Sequence, residues 1–396
     1  MKISGVICEY DPFHNGHKYL LDKIREDGSD CIAACMSGNF TQRGEPSLID
    51  KYTRTKAALL NGADIVIELP VTFACSGAER FAYGGVGILN STGICDRLYF
   101  GSESGNISVL QKAADAIISD KISERLKTYL SSGKSFASSR ELAVCDIYGE
   151  ETAALLREPN NILGIEYIKG IRKLKSNITA CTFARKGAAH NSGSITGDII
   201  SASKIRELII KGQDISKYVP ENTLSLLSES ISNLPDNTRI KKLETAILYK
   251  LRTMTAEELA VLPDISEGLE NRLYSVIRKA CTLEDILSGV KSKRYAMSRL
   301  RRIIMHSFLG ISKMDMMLAP QYIKILGFNK NGLSAIKEMK KSSSLPLVMK
   351  YSDTLQLSPD GKRMYQTEQR CDDIYSLSGD IILPCQSSKM IKINNQ

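Results

Sequence analysis

Two rhythms of apolar and polar positions run along this chain, and the change from one to the other divides it. In the first half, short β-branched runs alternate with stretches of helical period. Residues 2–9, 31–36, 64–69, 97–100 and 178–183 read as strands. Helices are expected from His17 onward, where Tyr19, Leu20, Leu21 and Ile24 share a face, and over 51–60, 81–89, 109–118, 122–130, 136–144, 162–174 and 204–211. Pro12 and Pro70 stop their strands, because proline lacks the N–H that a central strand needs. This alternation predicts an α/β fold: a parallel, Rossmann-like sheet with helices on both faces, whose ligand sits beyond the strand carboxyl ends where strand order reverses.

From about Pro220 the pattern turns helical, over 240–251, 256–261, 269–280, 283–290, 298–309 and 333–339, with Thr255 and Thr282 as caps. Residues 345–357 have strand character, and a polar tail follows. The expected division is therefore 1–215, 216–344 and 345–396. A chain of 396 residues is too long for one ordinary core, which agrees with more than one domain. At 43% hydrophobic and 24% charged, with no apolar run of membrane-spanning length and no signal-peptide pattern, the sequence predicts a soluble cytoplasmic protein with no membrane partner. Its ten cysteines form no C-x-x-C pair, and most lie in apolar runs, which fits reduced buried thiols. A net charge of +9 permits a polyanionic partner without requiring one.

The chemistry concentrates in His14-Asn15-Gly16-His17, which holds two of the four histidines at a strand-to-helix junction. A helix start there offers unpaired backbone N–H groups and a positive dipole end, both suited to phosphate. Gly16 would let the backbone approach a ligand, and at spacing i, i+3 both imidazoles reach the same spot. The other reading is a partial metal site or two unrelated histidines. A zinc site would want further ligands nearby, and the next downstream thiol, Cys31, falls in another strand, so no metal site is expected.

The order strand, His14-x-Gly16-His17, helix, then Ser201-Ala202-Ser203-Lys204-Ile205-Arg206, resembles the HIGH nucleotidyltransferase superfamily. More narrowly, Glu9-Tyr10-Asp11-Pro12-Phe13-His14-Asn15-Gly16-His17, the segment from Met36 to Pro46, Phe100-Gly101-Ser102-Glu103, Pro159-Asn160-Asn161-Ile162-Leu163-Gly164 and Lys291-Ser292-Lys293-Arg294-Tyr295 are similar to the bacterial tRNA(Met) cytidine acetate ligases. The resemblance implies that acetate attacks the α-phosphate of ATP, with Mg²⁺ accompanying the triphosphate, and that the acetyl-adenylate then acetylates the wobble cytidine of elongator tRNA(Met). It implies ATP contacts through Ile7-Cys8-Glu9-Tyr10-Asp11-Pro12-Phe13-His14-Asn15-Gly16-His17-Lys18-Tyr19-Leu20, Gly101, Asn160 or Asn161, and Arg185 with Lys186. The same family logic brings the Ser201 to Arg206 stretch to the triphosphate.

Read by themselves, several of these residues keep two meanings. Gly38 either lets the chain pass near substrate or forms a plain turn; Arg43 faces an anion or solvent; Gly101 is a ligand contact or a strand-end turn. Arg185 and Lys186, just after a strand, favour the nucleotide over a solvated role. Ser201 and Ser203 can cap a helix and still meet phosphate, whereas Arg206 near that helix's start wants an anion to offset the dipole. Lys291, Lys293, Arg294, Arg299, Arg301 and Arg302, with Tyr295 among them, are either an RNA contact with a stacking aromatic or a solvated face. His190 and His306 read as structural or surface residues. The competing functions are a small-molecule nucleotidyltransferase and a non-catalytic RNA-binding protein on the same fold.

Overall fold

A computed structural model describes residues 1–186, 197–231, 238–266, 268–385 and 389–393. Eight strands among them form the sheet: β1 (Ile3–Cys8), β2 (Cys31–Ser37), β3 (Ile65–Leu69), β4 (Arg97–Ser102), β5 (Thr179–Ala184), β6 (Ile323–Phe328), β7 (Leu347–Val348) and β8 (Ile391–Lys392). The order is β5-β4-β1-β2-β3-β6-β7, with β8 also on β6. The first five strands are parallel, and β6 runs antiparallel to β3. Strand order reverses between β1 and β4, since β2 and β3 extend one way and β5 the other. Cα pairing of β1 with β4 is confined to Ser4–Arg97 and Gly5–Leu98, so a crevice opens at their carboxyl ends.

Every residue of β2 and β3 is buried, as expected of strands covered on both faces. One face packs on the helices Ala78–Ser91, Ile107–Ile118 and Pro159–Lys173, with Phe81, Val86, Leu110, Ile165 and Ile168 in that core. The other packs on Asn15–Glu26 and Lys51–Leu60 through Leu21, Ile24, Ala58 and Leu59. A second core joins helices between Arg239 and Leu309, where Thr255 and Thr282 make capping boxes with Glu258 and Asp285.

The end of the chain departs from expectation. The strand character of 345–357 reduces to the two residues of β7 and a turn of helix at Tyr351–Thr354. The presumed polar tail contains an 18-residue helix, Pro359–Ser376, capped by Ser358. Strand β6 had no separate expectation: its six buried residues follow the helical stretch yet belong to the first sheet. No helix of the described residues is long and apolar enough to cross a membrane.

Candidate active site

The crevice at the sheet's switch point holds a cavity of about 210 Å³, lined by the end of β1 (Val6, Ile7, Cys8, Glu9, Tyr10, Asp11), His17 and Leu20 behind it, and Phe100 and Gly101 at the end of β4. Asn160, Arg185, Ala202, Arg206 and Gln42 close its sides. Strand termini and helix starts thus bring together residues nearly two hundred positions apart.

His14 is the N-cap of the helix Asn15–Glu26 and is 3% exposed. Its Nδ1 accepts the Gly16 N–H at 3.0 Å, while its own N–H donates to His17 Nδ1 at 3.3 Å. The rings stack with centroids 3.7 Å apart, and Tyr10 and Phe13 pack on His17 at 4.7 and 5.5 Å. A ring nitrogen that accepts a backbone N–H has no proton of its own, so each neutral imidazole carries its proton on Nε2. Burial pushes the His14 pKa down to about 3, helped by the Arg185 charge. Burial likewise lowers His17, with His14 and Arg185 adding to it. At neutral pH the pair is therefore two uncharged Nε2–H donors side by side. Tyr10 enters this corner in the left-handed region, at φ 52°, which a non-glycine residue adopts at a cost of about 1 kcal/mol or more.

The helix start differs from the expectation of free backbone donors. Asn15 N–H donates to Tyr218 O at 3.0 Å, Gly16 N–H to His14 Nδ1, and His17 and Lys18 N–H to His14 O. The backbone N–H groups of this turn are thus all engaged, which leaves the two ring Nε2–H groups as the donors it can offer. Gly16 makes room for them: a Cβ there would lie 2.9 Å from His14 Cε1 and 3.2 Å from Ile199.

The other expected residues separate into two groups. Asn160 lines the cavity, accepts from Arg185 at 3.1 Å and donates to Glu103 at 2.6 Å; Asn161 is buried and accepts the Ser104 N–H at 3.0 Å. Gly101 leaves space for the Arg185 stem, whose Cγ would stand 3.0 Å from a Cβ. Arg206 donates to Asp11 O at 2.6 Å and to Ser203 at 3.3 Å, and Ser201 caps the helix Ala202–Ile210. Asp11 accepts from Leu48 and Ile49 N–H at 3.0 and 3.1 Å. Pro12, Phe13, His14, Asn15, Gly16, Lys18, Tyr19, Asn161, Lys186, Ser201 and Ser203 stand outside the cavity lining. Asn15 is tied to Asp198 O and Lys217 O, Lys18 pairs with Asp22, and Lys186 lies over the Tyr19 ring at 4.6 Å. His306 is buried against Cys75 O at 2.7 Å, whereas His190 falls outside the described residues.

The basic cluster also divides. Tyr295 is buried and so is not a stacking platform. Arg299 donates to Asp264 O at 3.0 and 2.7 Å, Arg301 pairs with Glu45 at 2.8 Å, and Arg302 donates to Gln42 O at 3.2 Å. Lys291, Lys293 and Arg294 are exposed, with Lys291 donating to Tyr295 O at 2.7 Å. Gly38 is neither substrate gap nor surface turn: it is buried, and a Cβ would meet Glu368 at 2.7 Å.

That contact belongs to a feature the sequence did not reveal. Lys51 Nζ lies 2.5 Å from both Glu68 and Asp372, and Lys324 pairs with Glu68 at 2.7 Å, all buried. Glu368 accepts the Val71 N–H at 2.7 Å; burial, then the Glu68 charge, raises its pKa to about 8. Two ammonium groups thus face two carboxylates and one neutral carboxyl. Glu68, Glu368 and Asp372 place oxygens within 4.8 Å of one another, but Lys51 already occupies the cation's place. Arg54, equally buried, donates to Glu9 O at 2.6 Å and Ser37 O at 3.1 Å, tying the ends of β1 and β2. Lys51 and Arg54 sit at i, i+3 among Tyr52, Thr53, Thr55 and Lys56, so no sign in the sequence marks both as buried.

Comparison with known proteins places this geometry. The HIGH Nucleotidyl Transferase family model matches residues 1–387. A protein of Thermoanaerobacter sp. (strain X514) named tRNA(Met) cytidine acetate ligase is 42% identical over 386 residues, 96% of each chain. The chain belongs to this family of HIGH nucleotidyl transferases. A further tRNA(Met) cytidine acetate ligase, from Caldanaerobacter subterraneus, is 38% identical over the same share. The crystal structure of apo Thermotoga maritima TmcAL superimposes with a TM-score of 0.94 at 32% identity, both chains covered completely. TmcAL bound with alpha-thio ATP superimposes with a TM-score of 0.92. The fold of this family is thus shared from end to end, including the C-terminal helix that carries Glu368 and Asp372.

Proposed function

We propose that this chain acetylates the wobble cytidine of elongator tRNA(Met) to N4-acetylcytidine, using ATP and acetate. The observation that carries the reading is the stacked His14–His17 pair, two neutral Nε2–H donors of which His17 lines the cavity at the sheet's switch point and His14 stacks directly on it. Such donors hydrogen-bond phosphate oxygens without adding a proton to them, and strengthen as charge builds on the departing pyrophosphate. An acetate oxygen attacks the α-phosphorus, the bond to pyrophosphate breaks, and acetyl-adenylate remains. No nucleophilic side chain is needed, because holding acetate in line is itself a large part of the catalysis. In the second step the cytidine N4 attacks the acetyl carbonyl and AMP leaves.

Arg185, Asn160, Gly101 and Arg206 surround the nucleotide in this reading, with Ser203 orienting Arg206. Mg²⁺ accompanies the triphosphate as its counterion; of the cavity's carboxylates Asp11 accepts a backbone N–H on each oxygen and Glu9 one on Oε1, and no step is routed through the ion. The helical part between 216 and 344 receives the tRNA, with Lys291, Lys293 and Arg294 meeting its phosphates. A tRNA substrate places the protein in the cytoplasm.

The test is incubation with ATP, labelled acetate and deacylated tRNA, followed by nucleoside analysis. Acid-stable label in acetylated cytidine is the expected result. Label confined to an adenylate refutes the acceptor, and pyrophosphate release with a phosphorylated metabolite but not with acetate favours a small-molecule nucleotidyltransferase.

A further inference from the structure

The second step releases a proton: as the exocyclic nitrogen bonds to the acetyl carbon, its N–H must be given up for the amide to form. Resting on the function proposed above, the question is which group takes it. His14 and His17 are excluded, because each Nδ1 already accepts a backbone N–H and each Nε2 carries hydrogen. Asp11 is engaged on both oxygens by Leu48 and Ile49 N–H, and Arg206 stands 3.8 Å from its Oδ2, so it is the less available of the cavity's two carboxylates. Cys8, Tyr10, Tyr99 and Tyr167 line the cavity as protonated groups, since burial raises the pKa of each. Arg185 and Arg206 are cations.

Glu9 remains. It lies at the end of β1 in the cavity lining, and its Oε1 accepts the Gln42 N–H at 2.8 Å. Among the described residues no donor holds Oε2. We propose that Glu9 is the proton acceptor of acetyl transfer: the N4–acetyl bond forms, the bond between the acetyl carbon and the adenylate oxygen breaks, AMP departs, and the amine proton passes to Glu9 Oε2. Its surroundings suit the task. Burial raises the carboxyl above its ordinary value and the Asp11 charge adds to this, while the Gln42 N–H, Arg206 and Arg54 pull the other way. A base held nearer neutrality than a free carboxylate accepts a proton more effectively at working pH.

The experiment uses the full-length enzyme, chemically prepared acetyl-adenylate and tRNA, and measures single-turnover transfer against pH. For the wild type, the rate rises with pH through a titration lying above the usual carboxylate range. Glu9→Gln keeps an oxygen for the Gln42 N–H but accepts no proton, so transfer falls by about 100-fold or more and the rising limb disappears. A purely positional role for Glu9 predicts the opposite: near-normal transfer and an unchanged profile in the amide variant, which overturns the proposal. A flat wild-type profile overturns it without any variant. If the wild type fails to transfer from acetyl-adenylate at all, the function proposed above is the part that fails, and Glu9's role falls with it.

Discussion

Replacing His14 by asparagine separates the two jobs that its ring performs. Nδ1 caps the helix by accepting the Gly16 N–H at 3.0 Å, and Nε2–H is one of the paired donors. Asparagine is among the best N-caps, so His14→Asn retains the cap but withdraws the donor from its place beside His17. Loss of one preorganised donor to a developing oxyanion costs about 2.7–4 kcal/mol in the barrier, roughly 10²–10³ in rate. His14→Ala loses the donor and also the cap, about 1 kcal/mol of stability, together with the packing of a ring that is 3% exposed. Acetate-dependent ATP–pyrophosphate exchange should therefore fall similarly in both variants, while the urea midpoint falls further in alanine, which loses the cap as well as the ring. The protonation state adds a pH signature. With a folded pKa of about 3 against an ordinary 6.5, His14 refuses a proton that the unfolded chain accepts. Its contribution to stability is complete above pH 6.5 and is lost as pH falls from there toward 3. Asparagine removes that dependence. Exchange by His14→Asn within about threefold of the wild type would refute the donor role, since so small a change is under about 1 kcal/mol.

The buried charge cluster should respond asymmetrically. Lys51→Met leaves Glu68 and Asp372 with Lys324 alone and should cost about 3–5 kcal/mol in urea unfolding, whereas Glu368→Gln, replacing a carboxyl already neutral at pH 7, should change stability by less than about 1 kcal/mol. Equal costs for the two would contradict the charge assignment. Gly44→Ala forces a Cβ to 2.5 Å from Arg302 N at a φ of 74° and should destabilise by about 1–3 kcal/mol, read as a lower melting temperature. Combining Lys293→Ala with Arg294→Ala should weaken tRNA binding and flatten the salt dependence by about one unit of slope per lost phosphate contact, measured by filter binding at several salt concentrations. An unchanged slope would move the RNA contact elsewhere.

What the sequence disclosed, and what it hid, follows from the range of the interactions concerned. Period and proline placement are local, so the strands around Ile7, Ala34 and Val66 and the caps at Thr255 and Thr282 were readable. The His14–His17 pair was readable for the same reason, because four residues contain it. Strand β6 was not: Ile323–Phe328 takes its place through pairing with β3, more than 250 positions earlier, and nothing in its own composition marks that partner. The helix Pro359–Ser376 was missed because its polar residues looked like a solvated tail, whereas Glu368 and Asp372 are buried against Lys51 and Val71. The basic run from Lys291 to Arg302 misled in the opposite direction. Its charges looked available, yet Arg299, Arg301 and Arg302 satisfy backbone carbonyls and a carboxylate of neighbouring segments. Charge in a sequence does not reveal whether its partner is solvent, RNA or a loop of the same chain.

Those arginines matter because of where the loop leads. Arg302, on the helix Met297–Leu309, holds Gln42 O at 3.2 Å, and the N–H of the same Gln42 holds Glu9 Oε1 at 2.8 Å. The helix that carries Arg302 therefore reaches the cavity wall through Gln42. On the other flank, Asn39 donates to Asp372 at 2.9 Å and accepts the Lys51 N–H at 2.8 Å, fixing the same loop to the C-terminal helix. A loop held at both ends moves little by itself; a shift of the helix that carries Arg302 is the motion that displaces Gln42, and with it the carboxylate at the cavity wall. If tRNA docks on the exposed basic residues just before that helix, the route through Arg302 and Gln42 leads to Glu9, whereas the ring Nδ1 atoms of the histidines are held by backbone N–H groups of their own turn. Adenylate formation can then proceed on the imidazole pair, while the residue proposed to accept the proton stands where the helix that carries Arg302 reaches the cavity wall through Gln42.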